Sequence, residues 1–345
     1  MMRTSLRLLT GAFTLLSVQA HAQSEPIPYK LIRNEPTHSG LFGLTVTPVA
    51  ADIDFLNLNI RGGVGAFYTY ESKFGIEVSY QQAYFDDLLG HRDKPPFGTD
   101  SYGIPVDYKK ASTWNVQTKF SVASWEKQGY YHLNLRPASF LGPGKGEPLG
   151  RAEATVLKAL TVRLGGQLDN RTVESSNSGI AFVNSTSNSQ TATNLSTSGA
   201  MLKSGIIAAG IGYSTFKDIK IDLLDDKWEG RREQKIQSDL YFDLLYAQSL
   251  KLDDMLYYYV APNGNDQPSG GPGSQRLDLT QTPLKKVGWR FGYQDVQMTK
   301  PHFGVKTFCE IGSRPGPQTF DSQERFYIQF GFALIFGGRS TNANE

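Results

Sequence analysis

From Arg325 to Phe336 every second residue is large and apolar: Phe326, Ile328, Phe330, Phe332, Leu334 and Phe336. Between them stand Arg325, Tyr327, Gln329, Gly331, Ala333 and Ile335, polar or small until the last. A period of two sends the first set to one face of a strand and the second set to the other. An exposed soluble sheet edge rarely carries so apolar a face, because such an edge templates aggregation. The pattern suits a barrel wall, with hydrocarbon on one side and a polar lumen on the other.

The same alternation recurs along most of the chain. Leu58, Ile60, Val64, Tyr68 and Tyr70 alternate with Asn59, Arg61, Gly63, Gly65 and Thr69. Trp114, Val116, Phe120 and Val122 alternate with Asn115, Gln117, Lys119 and Ser121. Leu160, Val162, Leu164 and Leu168 face away from Thr161, Arg163, Gly165 and Gln167, and Leu240, Phe242 and Leu244 from Asp239, Tyr241 and Asp243. Only 39% of residues are apolar, and no unbroken run approaches the roughly 18 apolar residues of a membrane helix. Barrel strands escape that test because half of their residues face water. Tyr68, Tyr70, Tyr84, Trp114, Tyr131, Tyr246, Tyr257, Tyr259, Trp289 and Tyr293 fall on outward faces, where amphipathic rings suit a membrane interface. The lone Cys309 has no partner for an internal disulfide and reads as a small outward hydrophobe.

The amino terminus reads as a secretory signal peptide over residues 1–22. Arg3 and Arg7 precede the apolar run Leu8–Val18, and Ala20-His21-Ala22 supplies small residues two apart before a cut. A buried N-terminal helix is the alternative. No cysteine follows the cut, which excludes an acylated start. About 320 residues then remain. They divide into a segment 23–40 in the periplasm or the lumen, a barrel over 41–336 and a short tail over 337–345.

Connections set the expected strand count. Short turns read near Glu71–Lys73, Glu126–Gly129, Leu157–Ala159, Phe216–Asp218, Leu252–Asp254 and Thr299–His302. Longer polar loops cover Asp87–Ala111, Ala138–Gly150, Asn170–Leu202, Asp226–Lys235, Ala261–Lys285 and Ser313–Gln323, and a shorter one near Val49–Ile53 follows a first strand at Leu41–Thr47. Strict alternation of short periplasmic turns with long outer loops gives an all-β, antiparallel up-and-down transmembrane barrel of about 14 strands. Counting only the clearest alternations gives 10 or 12, with long loops then on both sides.

The end of the chain resembles the terminal strand of Gram-negative outer-membrane β-barrel proteins. Phe336, with Phe330, Phe332 and Leu334 before it, matches the aromatic ending that the barrel-assembly machinery reads in that class; the tail Gly337–Glu345 departs from it. The resemblance is architectural and covers nearly the whole chain. It implies residence in the outer membrane after export, with the lipid bilayer, lipopolysaccharide and the assembly machinery as partners.

The expected lumen is polar and mixed in charge. Its central positions Arg61, Lys119, Arg163, Asp239, Asp243, Arg290 and Lys306 are the candidate pore residues. Opposed fixed charges in a water-filled channel select small solutes. The same charges paired with one another would hold the wall together instead. A barrel of this size is wider than side chains readily fill, so water, the loop Asn170–Leu202 or the segment Gln23–Gly40 is expected inside. Acyl-transfer chemistry needs a serine–histidine pair, and only His132 lies on an expected strand, with no nucleophile setting near it. No metal-ligand spacing is present, and the nearly neutral charge of +2 implies no nucleic acid. The expected function is passage of small solutes without enzymatic chemistry, cofactor or metal. The alternative is a structural or assembly barrel that anchors a partner protein through its long loops, and the third is a soluble periplasmic β protein.

Overall fold

A computed structural model describes residues 29–34, 36, 40–54, 57–88, 111–134, 149–173, 200–224, 230–252, 255–258, 274–277, 284–300, 302–317 and 326–340. Its strands are β1 (Tyr29–Asn34), β2 (Gly40–Asp54), β3 (Asn57–Tyr70), β4 (Phe74–Leu88), β5 (Ser112–Asn134), β6 (Leu149–Val173), β7 (Ala200–Leu223) and β8 (Gly230–Leu252). They continue with β9 (Met255–Tyr258), β10 (Ser274–Leu277), β11 (Leu284–Lys285), β12 (Val287–Lys300), β13 (Phe303–Ser313), β14 (Gly316–Pro317) and β15 (Phe326–Ser340). Ten of them close into an antiparallel barrel in the order β2-β3-β4-β5-β6-β7-β8-β12-β13-β15, and β1 is added outside the ring against β7. Closure is by β15 on β2, from Tyr327↔Asp54 to Ser340↔Gly40. The last strand therefore runs past Phe336, and the start of the expected tail belongs to the wall.

The barrel has ten strands, not fourteen, which is the lower of the counts the alternation allowed. Three expected turns lie in the middle of strands, side by side at one level: Glu126 pairs with Leu157, and Leu157 pairs with Phe216. The alternation lapses there because β5–β8 leave the narrow apolar belt and run on, with 23, 25, 24 and 23 residues, past neighbours such as β4 and β12 of 15 and 14. A broken pattern looked like a turn. The expected strand after Leu252–Asp254 is the fourth one lost: Met255–Tyr258 pairs only with Ser274–Leu277, apart from the wall. Near Val49–Ile53 there is no loop. β2 continues to Asp54 with a register shift between Thr47 and Ala50, the bulge that Pro48 forces because it has no N–H to give the ladder.

Ten strands also reassign the two ends. One end, here the terminal end, carries Gly40, Ser340, the turn at 71–73, His302, and the β5–β6 and β7–β8 connections. The other, the loop end, carries the β2–β3, β4–β5, β6–β7, β8–β12 and β13–β15 connections. Ala138–Gly150 and Asp226–Lys235 thus connect strands at the terminal end, opposite to expectation, and Leu252–Asp254 lies at the loop end. Of the loop Asn170–Leu202 expected inside the lumen, residues 174–199 fall outside the described residues.

The phase of the strands agrees with the alternation. Leu44, Val64, Tyr84, Trp114, Leu164, Ile211, Leu244, Tyr246 and Phe336 are exposed on the outer face, and so is Cys309. Polar residues fill much of the inside, with buried apolar clusters near the terminal end (Leu41, Val296, Met298 and Ile335, with Phe67 against them), at Leu157, Ala159 and Phe216, and toward the loop end at Ile206, Ala208, Leu245 and Ala247.

Candidate functional site

Chemistry-bearing side chains converge in the lumen, where among the described residues they reach from one wall to another. Thr69 on β3 donates to Gln237 on β8, five places round the ten-strand ring, at 3.2 Å. Arg290 on β12 reaches Gln117 on β5 at 2.7 Å, and Lys306 on β13 reaches Glu77 on β4 at 2.5 Å. Such reach is possible because glycine stands where a long side chain must pass. A Cβ on Gly75 would meet the Lys119 stem at 2.7 Å, and one on Gly292 would run into the Tyr241 ring.

From the loop end inward the contacts form a nearly continuous chain. Asp52 pairs with Arg61 at 2.7 Å and with Arg314 at 2.9 Å. Arg61 also donates to Thr113, which donates to Asp169 at 2.6 Å, and Arg171 donates to the Pro315 carbonyl. Arg314 lies 3.7 Å over the Tyr327 ring, whose hydroxyl donates to Glu310. Glu310 accepts from the Tyr241 hydroxyl as well, and Arg163 covers the Tyr241 ring at 3.8 Å. Asp243 takes Arg163 on one oxygen at 3.1 Å and Arg290 on the other at 2.8 Å. One level further, Asp239 holds Lys119 at 2.7 Å and accepts from Ser214, Gln237 and Gln294.

All seven candidate pore residues, Arg61, Lys119, Arg163, Asp239, Asp243, Arg290 and Lys306, lie in this lumen, buried and ion-paired. The expectation of water, a loop or the leading segment inside belongs to a wider barrel of about 14 strands. With ten strands, arginine, lysine, tyrosine and glutamine stems from opposite walls meet. Phe330 and Phe336 of the C-terminal motif are exposed on the outer face, while Phe332 and Leu334 are half-buried there.

Sequence reasoning missed Asp52, Asp218, Arg314 and Arg33, which it had placed in a loop, a turn, a loop and the leading segment. Each sits next to a lapse in the alternation, so no periodic signal marked it. Arg33 on β1 is buried against Asp218 at 2.8 Å and Glu233 at 2.6 Å, and Lys235 adds a contact to Asp218 at 3.4 Å. Burial lowers the Arg33 pKa, but Asp218 and Glu233 more than reverse this and leave it raised.

β1 stands on β7, and β2 begins five places away in the ring. Between them the buried Pro36 offers its carbonyl to Ser72 of the β3–β4 turn, and Lys235 donates to the Gly40 carbonyl at 3.1 Å. β1 is outside the ring, and Pro36 lies against the β3–β4 turn.

Among the described residues no helix is long and apolar enough to cross a membrane, and no group of three or more His, Cys, Asp or Glu is placed to hold a metal ion. His38 and His91 fall outside the described residues, as does the side chain of His132. No family model matches the chain, and no curated protein is similar to it.

Proposed function

We propose that this chain is an outer-membrane β-barrel whose lumen is a closed, self-paired polar core, and that it serves as a membrane-embedded anchor. Its loop end and its long terminal-end hairpins would be the parts presented to partners. The observation that carries the reading is the burial of every candidate pore charge in an ion pair: the interior is used for the wall's own cohesion. An apolar outer face on all ten strands supports the bilayer and lipopolysaccharide as surroundings, because such a face in water would drive aggregation. The signal peptide and the assembly motif Phe330–Phe336 belong to the same reading, with the barrel-assembly machinery as the partner during insertion. No catalytic role is assigned.

Gated passage of small solutes is the second reading. One arrangement favours it: Asp52 and Asp243 each serve two arginines, so pairs can exchange partners without leaving a charge alone. The anchor reading is tested by topology and stability together. Tags at Asn188, Asp253 and Gly271 should all be labelled on intact cells, and one at His302 only after permeabilisation. The unheated protein should migrate faster on a gel than the heated one, as a closed barrel does. Labelling of His302 from outside, or no heat effect, would sink the reading.

A further inference from the structure

β6 and β7 run paired from Val173↔Ala200 to Leu157↔Phe216 and then part. β7 continues on β8 alone to Leu223↔Gly230, and β6 continues on β5 alone to Leu149↔Asn134. Two edges are thereby opened, each with backbone groups to satisfy. β1 satisfies both, by different means. Its main chain pairs with β7 from Tyr29↔Leu223 to Asn34↔Ile219. Its side chains serve β6: the Tyr29 hydroxyl accepts from the Glu153 N–H at 2.9 Å, and Asn34 Oδ1 accepts from the Thr155 N–H at 2.8 Å.

The cleft is specific in chemistry as well as shape. Ile219, Ile221, Leu223, Ala152 and Ala154 make a buried apolar floor against which Tyr29 packs. At the inner end, Asp218 and Glu233 accept the Arg33 guanidinium on three hydrogen bonds. The occupant itself is thinly held. It is six residues long with a register shift between Leu31 and Arg33, and Leu31 and Ile32 are each 44% exposed. A short strand with few buried apolar contacts belongs to the low-stability part of a fold.

We propose that the β6–β7 cleft is a strand-acceptor site for an extended peptide bearing an aromatic residue and, four positions on, an arginine, and that β1 is its exchangeable resident. Main-chain pairing supplies the affinity, and the acidic pocket with the two β6 N–H groups supplies the selection. A partner strand with the same pattern displaces β1 and draws Pro36 away from Ser72 with it. The inference needs only the fold and holds whichever membrane or compartment the barrel occupies.

The test uses the full-length folded protein, with faster migration of the unheated form confirming closure. In wild type, amides of β1 should exchange with deuterium at least about 100-fold faster than β7 amides at Ile206–Ser214, as sub-global opening requires. A fluorescent peptide of sequence Tyr-Lys-Leu-Ile-Arg-Asn should bind the Arg33→Ala protein about ten-fold more tightly than wild type, because the resident is weakened. The same peptide with alanine for arginine should bind either protein about ten-fold more weakly. If β1 exchanges only with global unfolding, or if the folded Arg33→Ala protein binds neither peptide, the cleft is a permanent structural joint and the proposal is wrong. Neither outcome bears on the anchor reading, which is tested by topology, the heat effect and conductance.

Discussion

On β8, Leu240 and Phe242 are each 40% exposed, while Asp239 and Asp243 beside them are 2% and 0% exposed. The two faces of one strand thus invert the usual relation between polarity and burial. The outer face is apolar and depends on what surrounds it. The inner face is charged and depends only on itself, since each carboxylate is held by cations from neighbouring or opposite strands. Cohesion inside such a barrel is therefore a matter of pairing. Taking a charge from water costs several kcal/mol, of order, and the pair returns that cost only while both partners are present.

Removing one partner should have the largest effect. Asp243→Ala takes the shared carboxylate from Arg163 and leaves Arg290 to Glu310 at 3.6 Å, and should destabilise the folded barrel by about 3–5 kcal/mol in a urea titration. A change below about 1 kcal/mol would mean that water reaches those arginines. The next effect belongs to the outer face. Phe330→Arg or Leu240→Arg should cost about 2–4 kcal/mol in a bilayer if the site lies near the midplane. The same change at inward Gln329, which touches Gln81 and stands opposite Glu310, should cost less than either. Equal losses at Phe330 and Gln329 would remove the distinction between the faces.

A smaller effect tests packing inside the polar face. Gly292→Ala pushes a methyl into the Tyr241 ring, which is fixed by Arg163 and Glu310, and should cost about 1–3 kcal/mol. If the substitution is silent, the ring has room and the lumen is looser than its contacts imply. The smallest effect is at Lys73, whose pair with Glu71 stands in an exposed turn. Lys73→Ala should leave the urea midpoint unchanged, because water and salt screen such pairs. A clear loss there would deny that burial is what gives the lumen pairs their weight.

The outer face was legible in the sequence because a period of two with lipid-compatible residues has few other readings. Leu240, Phe242 and Leu244 announced both a strand and its orientation. The inward charges were legible as a set for the same reason. Their partners were not, since pairing joins residues far apart in sequence: 120 positions separate Lys119 from Asp239 and 229 separate Lys306 from Glu77. Strand number failed where the alternation lapsed. Glu126, Leu157 and Phe216 lie at one level, where strands leave the belt and both faces change surroundings, and nothing local distinguishes that exit from a turn. Arg33 and Asp218 fell in the same blind zone, although a lone arginine in a leading segment was visible.

The central claim is that the lumen is closed by its own charges, and current through a single barrel reads it most directly. Purified protein inserted into planar bilayers should carry no steady current, at low salt or in 1 M salt, where the screening length falls to about 3 Å. Buried pairs are screened far less than exposed ones, so salt alone should not open the path. A steady ohmic conductance in the unaltered protein would contradict the account. It would do so most plainly if neutralising Arg61, Arg163 and Arg290 together moved its selectivity towards cations.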